Sequence, residues 1–176
     1  MRLPSLSLSL SPLLLALLPL TTCTSLNNTN NLGTSPTQRS TITLSQAQTI
    51  LSSAYTNATA LSIPQNIAVV SPSGFLIAFL HMDNAYLGSI ELSQKKARTA
   101  VLFNGITSEQ LGVQARPDGP LYGIQESNGG LVAFGGGLPI YLDGKLIGGV
   151  GVSGGTVEQD TLVAMAGIEG LGGVRV

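Results

Sequence analysis

The sequence predicts a single α/β domain in which an antiparallel sheet is flanked by helices, and three observations carry that prediction. Leu138 to Leu142 and Lys145 to Val152 are apolar runs of strand length, and Asp143-Gly144 between them is a two-residue hairpin turn. Asn66 to Ser71 and Phe75 to Met82 are apolar at successive rather than alternate positions, which fits strands covered on both faces. Thr43 with Gln46, Thr107 with Gln110 and Thr156 with Gln159 each have capping-box spacing at the start of a helical pattern. With 176 residues, one domain plus an N-terminal extension is long enough to bury roughly two-thirds of its unfolded surface.

Taken in order, the first helix begins at Thr43 and carries Leu44, Ala47, Ile50, Leu51, Ala54, Ala58 and Leu61 at three- and four-residue spacings. It stops before Pro64, which lacks an amide hydrogen and disfavours helix in the preceding residue. Pro72-Ser73-Gly74 reverses the chain between the first two strands. A second helix begins near Ala85 or Ser89 and ends at Asn104-Gly105, a pair suited to the left-handed cap. A short helix follows from Thr107. Arg116-Pro-Asp-Gly-Pro120 then forces a turn, Leu121 to Gly130 reads as irregular, and Leu131 to Phe134 reads as a short strand. The glycine-rich hairpin and a closing helix from Thr156 to Leu171 complete the domain.

Charged residues make up 10% of the chain, glycine occurs 22 times and the net charge is −1. Such a composition suits a compact body rich in small residues. It offers no field for gripping nucleic acid, which needs several phosphate contacts; Lys95, Lys96 and Arg98 form the one basic cluster. Met1-Arg2 and the apolar stretch Leu13 to Leu20 read as a secretory signal peptide over residues 1–25, too short to span a membrane. Residues 26–42 read as a flexible leader and 43–176 as the domain. Cleavage would remove Cys23, the single cysteine, so the secreted domain would carry no disulfide. The alternative is a lipoprotein box, Leu20-Thr-Thr-Cys23, which would anchor the domain through a lipid on Cys23. Asn27 and Asn57 head N-glycosylation sequons, meaningful in a eukaryotic source.

Three stretches resemble a known family. They are Gly136-Gly-Leu-Pro-Ile with Ile147-Gly-Gly-Val-Gly-Val-Ser-Gly-Gly155, Asp160 and Ala164-Met-Ala-Gly167; Val70 to Ala85; and Lys95-Lys-Ala-Arg-Thr-Ala100. Together they are similar to the GlcG/HbpS-like proteins, which bind or degrade haem, over about Thr43 to Leu171. His81 stands where that family usually has Arg, and Asn84 where it usually has Gly. The resemblance implies a profilin-like sandwich, a homo-oligomer and a haem or similar carboxylate-bearing ligand, or else an enzyme on the same scaffold acting on haem or a small organic acid.

The residues add their own constraints. Gly149-Val-Gly-Val-Ser-Gly154 matches a dinucleotide-binding pattern, but a hairpin precedes it where a parallel strand-helix-strand unit is required. His81 is the single histidine, which excludes a metal site of two or more histidines; at a strand end it reads as a surface or hydrogen-bonded residue, with an axial haem ligand as the functional alternative. Tyr86, Tyr122, Tyr141, Met82 and Met165 are the other side chains able to ligate iron. At the start of the closing helix, Ser153-Gly154-Gly155 is expected to seat an anionic ligand group, because unpaired N–H groups and the helix dipole converge there. Lys95 or Arg98 would close the other side, in a slot between the closing and central helices. With Thr99, Gly136, Gly137 and Asp160 from the motifs of the resemblance, these residues form the candidate ligand-binding set. No acid and base pair stands out among the carboxylates, so catalysis is left open.

Overall fold

A computed structural model of the protein describes residues 40–173. Helix α1 spans Leu44–Ala60, strands β1 and β2 span Asn66–Val70 and Leu76–His81, helix α2 spans Gly88–Leu102 and helix α3 spans Ser108–Gln114. Strands β3 and β4, Gly137–Leu142 and Lys145–Ser153, then lead to helix α4, Val157–Gly170. All three capping boxes form, with Thr43, Thr107 and Thr156 each bonded to the amide three residues on. They fix where α1, α3 and α4 begin. The hairpin also closes as expected, with Asp143 and Gly144 at φ of 49° and 72°.

The four strands form one antiparallel sheet in the order β2-β1-β4-β3. Helices α1 and α4 cover one face. There Ile50, Ala54, Val163 and Ile168 pack on Ile67, Val69, Val150 and Val152. Helix α2 covers the other, where Ala97 and Val101 meet Ala68 and Val70. Every residue of β1 is buried, which explains why it is apolar at successive positions. The closing and central helices therefore lie on opposite faces. The sheet fills most of the expected slot between them, and the two helices meet where Lys96 of α2 reaches Asp160 of α4.

Three further expectations change. Leu131 to Phe134 is not a strand: the Leu131 amide donates to the Gln125 carbonyl at 2.9 Å and the Val132 amide to Thr99 Oγ1 at 3.2 Å. The segment is apolar because Leu131 and Val132 are buried, not because it pairs in a sheet. Residues 40–42, assigned to the leader, are docked. The Ser40 and Ile42 amides donate to the Leu146 and Ile147 carbonyls at 2.9 and 2.8 Å, and Ile42 joins the larger core. Within Leu121 to Gly130 a single turn of 3-10 helix forms at Ile124–Glu126. Asn84 takes the left-handed backbone at φ 66°, which asparagine tolerates better than most residues.

Candidate functional site

The sheet register assembles one end of the site. Asn66 at the start of β1 lies opposite His81 on one side and Ser153 on the other. The three side chains form a row on the α2 face, because directly paired residues point the same way. Asn66 is fully buried, and its Nδ2 donates to the Tyr86 carbonyl at 2.9 Å. A carbonyl can only accept, so that bond fixes the amide, with Oδ1 against His81 Nδ1 at 2.6 Å. His81 Nδ1 must therefore carry the hydrogen. The lone pair is left on Nε2, which makes no hydrogen bond among the described residues.

Strand β2 is an edge strand, and α2 does not cover its near side. Half-buried Phe79 lies two residues from His81 on the same face, while Tyr86 and Leu87 beyond the strand are 71% and 77% exposed. Nε2 thus stands at the margin of an apolar surface. A groove of about 520 Å³ runs between the end of α1 and β2, lined by Tyr55, Thr59, Ile63, Pro64, Leu80, His81 and Met82 among others, so His81 borders this groove as well. The Met82 sulfur accepts from the Gln65 amide at 3.4 Å.

The glycine-rich hairpin builds a different feature. Lys96 of α2 is fully buried, and its Nζ donates to Asp160 Oδ2 at 2.6 Å and to the Val152 carbonyl at 3.0 Å. The Phe134 ring lies over it, 4.8 Å from Nζ to the ring centre. Gly136, at φ 106°, makes room: a Cβ there would stand 2.8 Å from Lys96 Nζ and 2.7 Å from the Val152 carbonyl oxygen. Burial pushes the Lys96 ammonium below its ordinary pKa and the Asp160 carboxyl above its own. Their mutual attraction opposes both shifts.

This pair alters the reading of the Ser153-Gly154-Gly155 turn. The Gly155 amide donates to Asp160 Oδ1 at 2.9 Å, and the Gly154 amide also supports that carboxylate. The anion seated at the helix start is the helix's own Asp160. Neither Lys95 nor Arg98 closes the site: Lys95 pairs with Glu91 at 2.7 Å, and Arg98 donates to the Asn128 carbonyl at 3.3 Å. The cation that does so is Lys96, which the sequence reading placed in a basic cluster and not in the site. Thr99 donates to the Lys95 carbonyl and accepts from the Val132 amide, tying the 121–134 segment to α2.

His81, Ser153, Gly154, Gly155, Gly136, Gly137 and Asp160 thus gather at one end of the sheet, while Lys95, Arg98 and Thr99 face the 121–134 segment. Of the other iron-ligand candidates, Tyr86 and Tyr122 are exposed, at 71% and 68%. The described residues hold no group of three or more His, Cys, Asp or Glu able to bind a metal ion, and no helix long and apolar enough to cross a membrane. Asn57 lies inside α1 with its Oδ1 buried, an awkward position for a glycan. Asn27, Cys23 and the signal segment lie outside the described residues.

The model of a family described as haem-degrading, HbpS-like proteins matches residues 42–169. An uncharacterised 15.0 kDa protein of Citrobacter freundii is 40% identical over 133 residues, covering 75% of this chain and 93% of that one. The corrinoid adenosyltransferase PduO of Salmonella typhimurium is 41% identical over 109 residues, 61% of this chain, but the match spans only 32% of PduO. Among solved structures, the haem complex of PduOC superposes with a TM-score of 0.73 at 33% identity, covering 77% of this chain and 99% of that one. Klebsiella pneumoniae ORFY superposes equally well, with a TM-score of 0.73 at 32% identity over 80% of this chain and 98% of that one.

Proposed function

Since the chain belongs to the haem-degrading HbpS-like family, we propose that it binds haem at the sheet end carrying His81, with His81 Nε2 as the iron ligand. The observation that carries this reading is the 2.6 Å bond from His81 Nδ1 to Asn66 Oδ1, with Asn66 itself anchored on the Tyr86 carbonyl. A ligating histidine ordinarily donates its second ring hydrogen to a fixed acceptor, which sets the tautomer and raises ligand basicity. Here that arrangement exists within the protein alone. Phe79, Tyr86 and Leu87 supply apolar surface for a flat macrocycle beside the imidazole. Iron held there would supply the redox or small-ligand chemistry; the chain's own part is to orient the imidazole and cover one edge of the ring.

Hemin titration tests this. A shifted Soret band saturating near one haem per chain is expected, and its loss in His81→Ala with an unchanged circular dichroism spectrum would locate the iron ligand. An unshifted band at micromolar haem would overturn the reading. Bilin or iron release on adding a reductant would extend binding to degradation. We also take the domain to be secreted, through a cleaved signal or a lipid on Cys23, and to assemble as a homo-oligomer. The N-terminal residue of the exported protein decides between the two export routes.

A further inference from the structure

A second cavity, of about 450 Å³, lies between α2 and the 121–134 segment, lined by Glu91, Leu92, Lys95, Gln125, Leu131 and Phe134 among others. We propose that this cleft is a separate site for a carboxylic acid with an apolar body and a hydroxyl group.

Four observations converge on that chemistry. Lys95 stands at the cleft with its side chain 27% exposed, and Gly130 backs it so closely that a Cβ there would stand 2.8 Å from Nζ. Its partner Glu91 is 73% exposed, and an exposed pair at this helical spacing contributes little, so a ligand carboxylate can replace it. Gln125 also lines the cleft, and its Oε1 is buried without a hydrogen-bond partner, an acceptor waiting for a donor. Leu92, Leu131, Val132, Ala133 and Phe134 supply an apolar lining between the polar groups. A cation, an orphaned acceptor and an apolar wall are the three parts that recognise a hydroxy acid with a hydrocarbon body. The Asn66–His81 row takes no part, so the site stands or falls apart from the haem reading.

Calorimetric titration with 3-phenyllactate, and with 3-phenylpropionate as the same skeleton without the hydroxyl, tests the proposal. Phenyllactate should bind, and phenylpropionate about fivefold more weakly, as loss of one hydrogen bond to a buried acceptor implies. Lys95→Met should weaken phenyllactate about tenfold or more by removing the charged partner. Glu91→Gln should tighten it about twofold, because the competing carboxylate is gone. Gln125→Leu should bring the two acids to equal affinity. Since Gln125 Oε1 has no partner to lose, the melting temperature of that variant should hold. Absence of binding to both the native protein and Glu91→Gln at millimolar acid would overturn the proposal. So would binding that survives both Lys95→Met and Gln125→Leu unchanged, or displacement of the acid by hemin. In His81→Ala the Soret shift should vanish while phenyllactate still binds.

Discussion

Lys96 and Asp160 are the residues with most at stake, because two ionisable groups lie buried at 2.6 Å. Removing one partner strands the other, so Lys96→Met or Asp160→Asn alone should each cost about 3–5 kcal/mol in chemical denaturation. The double variant should cost clearly less than the sum. A carboxamide at position 160 would still accept from the Gly155 amide, and its NH2 group could serve the Val152 carbonyl that Lys96 now satisfies. The pair also predicts a pH signature. The short contact favours the charged forms and burial the neutral ones, and burial is the larger effect for both groups. A carboxyl raised above its ordinary value of 3.8 gives stability that is present below that pH and lost as pH rises. An ammonium lowered from 10.5 gives stability that returns as pH rises toward that value. The stability of the native protein relative to the double variant should thus be lowest at intermediate pH. A maximum there would overturn the assignment. At the other end of the row, Asn66→Leu should weaken haem binding about 10- to 100-fold, the usual cost of removing the partner that orients a ligating histidine.

At the scale of elements, the central helix is held against the sheet by what the strands lack. A Cβ on Gly151 would collide with the Ser93 carbonyl and stand 2.5 Å from the Ala97 amide nitrogen, so α2 lies on bare backbone. Gly151→Ala should cost about 3 kcal/mol or more, since backbone cannot move aside as a side chain can. Gly144→Ala is the control: it has no neighbour within 4 Å, but a φ of 72°, and should cost only about 1 kcal/mol for the left-handed backbone. Denaturant midpoints of the two variants separate close approach from conformational strain. The same packing explains what the sequence revealed and hid. Capping boxes and the Asp143-Gly144 hairpin are local, so α1, α3, α4, β3 and β4 were legible from neighbouring residues. Which cation of Lys95-Lys96 turns inward depends on the phase of α2 against a sheet. Yet Lys96 shares its buried stripe with Ser89, Ser93, Ala97 and Ala100, and those small residues at helical spacing were a readable sign of a helix face pressed on glycine. That Asp160 takes the Gly155 amide was also legible, because a carboxylate five residues on, in the first turn of α4, stabilises its own helix start; its partner Lys96, on another helix, was not. Leu131 to Phe134 misled for a related reason: apolar residues in an extended chain look alike whether a strand or a side chain takes their hydrogen bonds.

On the scale of the whole molecule the layers are unequal. Helices α1 and α4 cover one face, whereas α2 lies over β1, β4 and β3 and leaves the same side of β2 open. Leu76 on that edge strand is 47% exposed, and Phe75 beside it is 74% exposed. An apolar edge strand with unpaired backbone groups invites a second strand. We expect a second copy of this chain to cover it, which agrees with the proposed homo-oligomer. Light scattering of the domain should then give a mass of at least two chains at micromolar concentration. Leu76→Glu places a charge on the open side of β2, where Leu76 pairs with Val70 and faces away from the larger core. It should reduce that mass to one chain while leaving the far-ultraviolet circular dichroism spectrum intact. A native protein that scatters as one chain would remove the assembly from the proposal. An oligomer indifferent to Leu76→Glu would move the interface away from β2, and with it the idea that the sheet's open edge is what the second copy covers.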